Sequence, residues 1–260
     1  MEWKMEQSGE FLTTDLGSNM LTIFLIFIAH WYLSLFVQTF FLHRYASHQM
    51  FTTSKFMEKV FFVVTLLAQG SSFLRPSAYA LMHRDHHKFS DTEKDPHSPV
   101  AFKNIFSFMW KTANEYRYFT DLALERKDDK SLPRWTAFEN IADTYPCRIA
   151  FIVVYILIYV KFAPSYWYFA LIPVHILMGP VHGFIVNWFG HKHGYRNFDK
   201  LHDKSKNTLF IDFLMLGELY QNNHHRFPTK NNFAYKWYEI DFGYWIVKFF
   251  SKLGIITLIK

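Results

Sequence analysis

Three imidazoles stand at i, i+3 and i+4 in His83-Arg84-Asp85-His86-His87. On a helix that spacing puts them on one face. A face carrying three nitrogen donors is costly to bury for packing alone, but it suits a transition metal. The same template recurs at Gln221, His224 and His225, with Gln in the leading place. His43 and His48 form a third cluster, and Asn187 with His191 a fourth pair at i, i+4. One pair among 14 histidines would be ordinary core or surface chemistry. Four clusters, two of them on one template, point to a shared metal site.

Apolar segments must carry these clusters. Residues 1–19 are a polar N-terminal segment, and 20–260 read as one domain. Residues 20–42 are almost wholly apolar and long enough to cross a bilayer. His30 and Gln38 interrupt that run and are expected to bond inside the helix bundle. The span delivers His43 at its exit, and the chain must turn before His48 for both to face one metal. Residues 57–72 hold a shorter apolar run, followed by Gln69-Gly70-Ser71-Ser72 at its end. A crossing there would put His43 and His83 on opposite sides, so this stretch lies in the interface or dips in and returns. Pro76 suits the first turn of the helix bearing His83.

Beyond it, the carboxylates of Ser90-Asp91-Thr92-Glu93-Lys94-Asp95-Pro96-His97 are placed to orient ligating rings, with a helix cap the other reading of Asp91. Residues 99–145 read as short amphipathic helices on the membrane face, with 125–130 an exposed charged loop. Two further spans, 147–163 and 166–189, are joined at Pro164-Ser165; Pro173, Gly179 and Pro180 should kink the second. His182 is a reserve ligand that a kink could redirect. Residues 242–260 read as an interfacial helix. The fold class expected is therefore an all-α integral membrane protein. About three transmembrane helices carry interfacial helices and a cytosolic helical cap holding the histidines.

Charge agrees with this topology. Net charge is +6 and the isoelectric point about 9.2, without a compact basic run or a nucleic-acid module, so no nucleic-acid partner is expected. Lys and Arg are dense from Arg44 to Arg148 and after Lys192, and sparse (Lys4, Lys161) on the other side. The positive-inside bias makes the histidine face cytoplasmic. Half the residues are hydrophobic, a fifth are aromatic and mean hydropathy is near zero, as for a few spans plus a polar part. A single cysteine, Cys147, excludes an internal disulfide framework, a Cys-rich zinc site and a Cys-ligated cluster.

The segments HRYASH from His43, HRDHHKFSDTEKDPHSP from His83, NWFGHKHGYRNF from Asn187 and GELYQNNHHRFP from Gly217 closely resemble the membrane fatty acid desaturases, of the stearoyl-CoA (delta-9) type. The resemblance covers nearly the whole chain after residue 40. It implies a non-haem centre of two iron ions (Fe2+) held by His43, His48, His83, His86, His87, His191, His224 and His225. Asn187 would contact iron through water. Where animal members carry a further histidine, this chain has Gln221, a poorer ligand. Where acyl-CoA members carry Arg-Asp before the middle box, this chain has Leu81 and Met82, which weakens the case for a CoA thioester. The implied activity is an oxygen-dependent acyl desaturase of lipid metabolism, an oxidoreductase placing a cis double bond in a fatty acyl chain. Its acyl carrier would be CoA, acyl carrier protein or lipid, and its electron donor an external protein such as ferredoxin or cytochrome b5. A fatty acyl or lipid hydroxylase or ketolase on the same scaffold is the alternative. A membrane metal-binding or transport protein is the reading from another class; it predicts polar groups lining the spans, and few are apparent.

Overall fold

This computed structural model describes the backbone of residues 2–259 and the side chains of residue 17 and residues 19–259. The side chains of the expected polar segment therefore lie largely outside the described residues.

Helix α1 (Glu2–Val37) runs without a break into a π-helical segment, Gln38–Ser47. Residues 19–47 are long enough to cross a membrane, and their most apolar 18-residue stretch has a mean hydropathy of 2.1. The expected turn between His43 and His48 is not a turn. The wider coil closes i to i+5 hydrogen bonds, and the His48 amide donates to the His43 carbonyl at 3.1 Å. Five residues then make about one circuit, so the two rings share a face, with centroids 4.9 Å apart.

A short strand β1 (Phe51–Thr53) leads into α2 (Lys55–Gln69), capped by the Ser54 hydroxyl. One 3-10 turn (Gly70–Ser72) ends it, and α3 (Pro76–Phe89) leaves at 77° with Pro76 in its first turn. Since His43 and His83 lie side by side (4.4 Å between centroids), the chain between them returns to where it started.

α4 (Ile105–Glu125) is one helix of 21 residues, not the short helices that the charge pattern suggests. Its apolar side, Phe119 and Ala123, packs on Ala78, Leu81 and Met82 of α3. After α5 (Thr136–Ala142) comes α6 (Tyr145–Phe162), whose N-terminus is capped by Thr144 and which is the second helix apolar enough to cross.

The third expected span is a broken one. A 3-10 segment (Tyr166–Leu171) and α7 (Ile172–Ile176) meet α8 (Met178–Lys192) at 74° across Leu177. Pro180 has no N–H to offer the preceding turn, so the ladder fails there. The two breaks are pinned together. Ser71 Oγ donates to the Ile176 carbonyl at 3.0 Å, and the Gly179 amide donates to Ser72 Oγ at 3.0 Å. The hydroxyls of the first break thereby satisfy backbone groups that the second leaves open, as an apolar surrounding requires.

α9 (Gln221–Arg226) has six residues, too few to persist alone. Its middle amides anchor it: Asn222 accepts from the Asn197 and Phe198 amides at 2.8 Å, and Asn223 bonds the Phe233 carbonyl and Glu239.

The expected terminal helix over 242–260 ends early. α10 (Phe242–Lys252) closes on Gly254 at φ +69, with amides of Gly254 and Ile255 donating back to Ser251 and Phe250. The β-branched run that follows forms β2 (Ile256–Leu258), antiparallel to β1, with Thr52 opposite Thr257. A core of Phe40, Phe41, Phe51, Phe61 and Phe62 sits beneath this ribbon.

Candidate metal centre

The elements deliver eight imidazoles to one place, in two groups. His43, His48, His83, His87 and His224 each present a ring nitrogen within 4.8 Å of every other. His86, His191 and His225 do the same a short distance away. Centroids of His87 and His225 are 4.4 Å apart, so the groups adjoin. Along α3 the i, i+4 pair His83 and His87 turns to the first group, and His86 to the second.

Hydrogen bonding among the rings does not account for the first group. His83 Nε2 lies 2.8 Å from His48 Nε2 and 3.0 Å from His87 Nε2. His224 Nε2 lies 2.9 Å from His43 Nε2 and 3.0 Å from His87 Nε2. One imidazole nitrogen carries one in-plane proton or one lone pair, so it cannot serve two such contacts. Nitrogens bound at right angles about 2.1 Å from a single ion stand about 3.0 Å apart. The donor set and its spacing fit a metal.

The second group shows the fit differently. Its three Nε2 atoms are buried without a hydrogen-bond partner among the described residues, while each Nδ1 is held by a carboxylate. His86 pairs with Asp95, His191 with Asp91 and His225 with Asp203, each at 2.9 Å. Such contacts place the proton on Nδ1 and leave the Nε2 lone pair free for a cation. Asp91 adopts φ +60, a left-handed turn that its short polar side chain tolerates, and also accepts from the Lys204 amide at 2.7 Å. Of its two sequence readings, the ring-orienting one is what the geometry presents. His97 packs its ring on His86 at 4.5 Å.

Burial disfavours the charged form of several of these rings. Burial, reinforced by the neighbouring His43, His48 and His87, pushes His224 well below the usual histidine range. Burial takes His225 down to about 4, against the opposing hydrogen bond from Asp203. The carboxylates remain ionised. Burial alone would raise Asp91, but the hydrogen bond and charge of His191 hold it at about 2. Asp95 is likewise held low against burial by His86, and Asp203 by His225.

His43 differs from the others in its group by facing an acid: its Nδ1 is 2.5 Å from Glu218 Oε2. Glu218 is shared with Arg44, which is fully buried, bonds Glu218 at 2.9 Å and Asp241 at 2.9 Å, and lies over the Phe233 ring. Asp212 accepts from the amides of Met215, Gly217 and Leu219 and so shapes the turn that presents Glu218 and α9. Sequence reasoning missed Glu218 and Asp203. Each is far in sequence from the ring it serves, or hidden in a turn, and no spacing rule exposes it.

Asn187 and Gln221 line a cavity beside His43 and His83. Asn187 Nδ2 donates to the Gly183 carbonyl at 2.8 Å, and Gln221 Nε2 to the Glu218 carbonyl at 2.6 Å. A side chain at Gly190 would come within 2.4 Å of Gln221 Cγ, so that glycine makes the seat for Gln221. His182 shares the cavity wall but belongs to neither histidine group. The kink does not turn it into a ligand position; it packs edge-on against Trp31 at 4.6 Å. His30 behaves as expected of a bundle histidine, its Nδ1 2.6 Å from His175 Nδ1. Leu81 and Met82 are core residues under α4.

Comparison with known proteins agrees with this site. The fatty acid desaturase family model matches residues 18–252. A hex-5-enoyl-[acyl-carrier protein] acetylenase of Moorena producens is 29% identical over 255 residues, covering 90% of this chain and 76% of the relative. An sn-1 stearoyl-lipid 9-desaturase of Synechocystis is 30% identical, and an acyl-CoA 5-desaturase of Anemone leveillei 28%; each alignment covers 84% of this chain and 65% of the relative. This chain therefore spans about two thirds to three quarters of the length of these relatives. With four histidine boxes folded into two adjoining nitrogen-donor groups on apolar helices, and the family match running through all of them, the chain belongs to the fatty acid desaturase family.

Proposed function

We propose that this protein is an oxygen-dependent acyl desaturase that introduces a cis, delta-9-like double bond into a fatty acyl chain. The observation that carries the reading is the convergence of eight buried imidazoles into two adjoining groups. Two iron ions would be held by His43, His48, His83, His87 and His224 on one side and His86, His191 and His225 on the other. Asn187 would reach iron through water, and Gln221 lines the same cavity. An unactivated methylene offers neither an acidic proton nor a leaving group, so acid–base chemistry alone cannot attack it. Bound iron would supply the oxidant, made from dioxygen, that removes hydrogen from adjacent carbons.

The chain's own residues do the rest. Asp91, Asp95 and Asp203 fix the tautomer and tilt of their rings. Leu35, Val186 and Met215 line the same cavity as His43 and His83 and would give a methylene an apolar seat beside the metal, away from bulk water. Electrons would come from an external one-electron carrier such as ferredoxin or cytochrome b5.

The membrane arrangement supported by this geometry has three crossings with the histidine face cytoplasmic. α1 crosses once, α2 and α3 enter and return, α6 crosses back, and the broken pair α7–α8 returns the chain to the metal centre. The nearness of His43 to His83, and of His86 to His191, supports that count.

The test is expression in a host of defined fatty acid profile, followed by lipid analysis and metal analysis of the purified chain. A new monounsaturated acyl chain and iron near two per chain are expected. An oxygenated chain would instead make it a hydroxylase, and an unchanged profile with no iron would remove the proposal.

A further inference from the structure

Helix α1 carries a second pattern that the metal centre does not use. His30, Ser34 and Gln38 recur at intervals of four and so form one stripe leading toward His43. Polar atoms on all three, His30 Nε2, Ser34 Oγ and Gln38 Oε1, are buried without a hydrogen-bond partner among the described residues. Facing them from α8 is His182, fully buried, with both ring nitrogens unpartnered. Gln38 and His182 reach the cavity beside His43 and His83. At the other end, His30 meets His175 at 2.6 Å, and His175 Nε2 meets the Tyr159 hydroxyl at 2.8 Å. Tyr159 stands one turn from the end of α6, next to the segment that exposes Tyr166 and Trp167. The spans are thus more polar inside than their composition suggests.

Each unpartnered buried polar atom carries an uncompensated desolvation cost, so a run of them implies an occupant that satisfies them. Groups one helical turn apart are separated by about 6 Å, which one water spans with two hydrogen bonds of about 2.8 Å. From His30 to Gln38 the stripe is about 12 Å long, too long for a single polar group on a substrate. A transported metal does not fit either, because the histidine groups that could hold an ion, among the described residues, are the two already described.

We infer that Tyr159, His175, His30, Ser34, Gln38 and His182 form a hydrated, proton-conducting file through the spans to the cavity beside the metal centre. This rests on the desaturase reading. There, –CH2–CH2– plus O2, two electrons from the carrier protein and two protons yield –CH=CH– and two waters. The substrate's two hydrogens and the two supplied protons all end in water. The centre is buried, so those two protons need a route, and the file is one.

Two measurements test it on the full chain in membranes. X-ray radiolytic labelling generates hydroxyl radicals from bound water in place. It is expected to oxidise His182 in the wild type, although it is fully buried, and to lose that label in Ser34→Ala/Gln38→Leu; an unlabelled wild-type His182 overturns the inference whether or not the enzyme turns over. Turnover is then compared in H2O and D2O. Ser34→Ala, His182→Leu and Tyr159→Phe should each lower kcat about tenfold with KM for the acyl substrate unchanged and a larger solvent isotope effect. Ser34→Thr should restore the rate. Tyr159→Phe lies far from the metal, so unchanged turnover there overturns the proposal regardless of the nearer variants. A shift in KM without an isotope effect overturns it as well and assigns the polar atoms to the substrate. Wild-type turnover measured alongside separates failure of this inference from failure of the desaturase reading.

Discussion

In the three-histidine group every ring is gripped through Nδ1 by its own carboxylate, whereas in the five-histidine group only His43 faces one among the described residues. The first group compensates by number. Five donors crowd within 4.8 Å, and each ring is oriented by its neighbours' edges, as with His48 and His83 at 90°. The second group has three donors and little redundancy, so each must be aimed from behind. Few ligands need strong outer support, and many ligands support one another.

That contrast can be broken most directly by removing one ring from each group. His86→Ala and His224→Ala are both expected to abolish product. Their metal contents should differ, with His86→Ala losing the metal of its group outright and His224→Ala, with four donors left, retaining more of its own. Equal retention would end the distinction, and full activity in either would remove the ligand assignment.

A smaller effect should follow from the supporting acids. Asp203→Asn is expected to weaken metal binding about 10–100-fold, as loss of an outer carboxylate does elsewhere. Glu218→Gln should lose less metal, since the other four rings of that group have no such support among the described residues, but should lower thermal stability because it halves the charge opposing buried Arg44. Metal competition titrations and melting curves read the two.

Acid probes the three-histidine group in metal-free protein. Burial depresses His225 to about 4 against an ordinary 6.5. The fold favours its neutral form, so its contribution is complete above pH 6.5 and is lost as pH falls from 6.5 through 4. Asp91, held at about 2 against 3.8, adds a second loss at lower pH, between 3.8 and 2. Melting temperature should therefore fall in two stages on acidification. A flat curve from pH 7 to 4 would contradict the burial of these rings.

The smallest effect is expected at Gln221→His. The swap nearly conserves volume, and Gln221 already bonds back to the Glu218 carbonyl, so activity should stay within about twofold. A large gain or loss, measured as product per iron, would make position 221 a direct ligand.

Much of the centre was legible because helical spacing is local. The intervals of three and four at His83, His86 and His87, and at His224 and His225, report a shared face without reference to anything distant. Apolar length likewise marked α1 and α6, and Pro76 marked the start of α3. Boundaries that depend on partners were not legible. The helix expected over 242–260 gives way to a strand because β1 is there to pair with residues 256–258. The kink of the third span was legible in Pro173, Gly179 and Pro180, but not that Ser71 and Ser72 would pair the backbone groups it leaves open.

By itself, then, the sequence determined which residues carry nitrogen donors, on which helical faces, and that apolar segments must carry them. Only the tertiary structure decided that His43 and His48 share a face through a π-helical coil. It alone also divided the rings five and three and assigned Asp203 and Glu218 to them. The physical reason is one of range: periodicity is written in neighbouring residues, while the partner of a buried nitrogen is chosen by whatever packing brings within 3 Å.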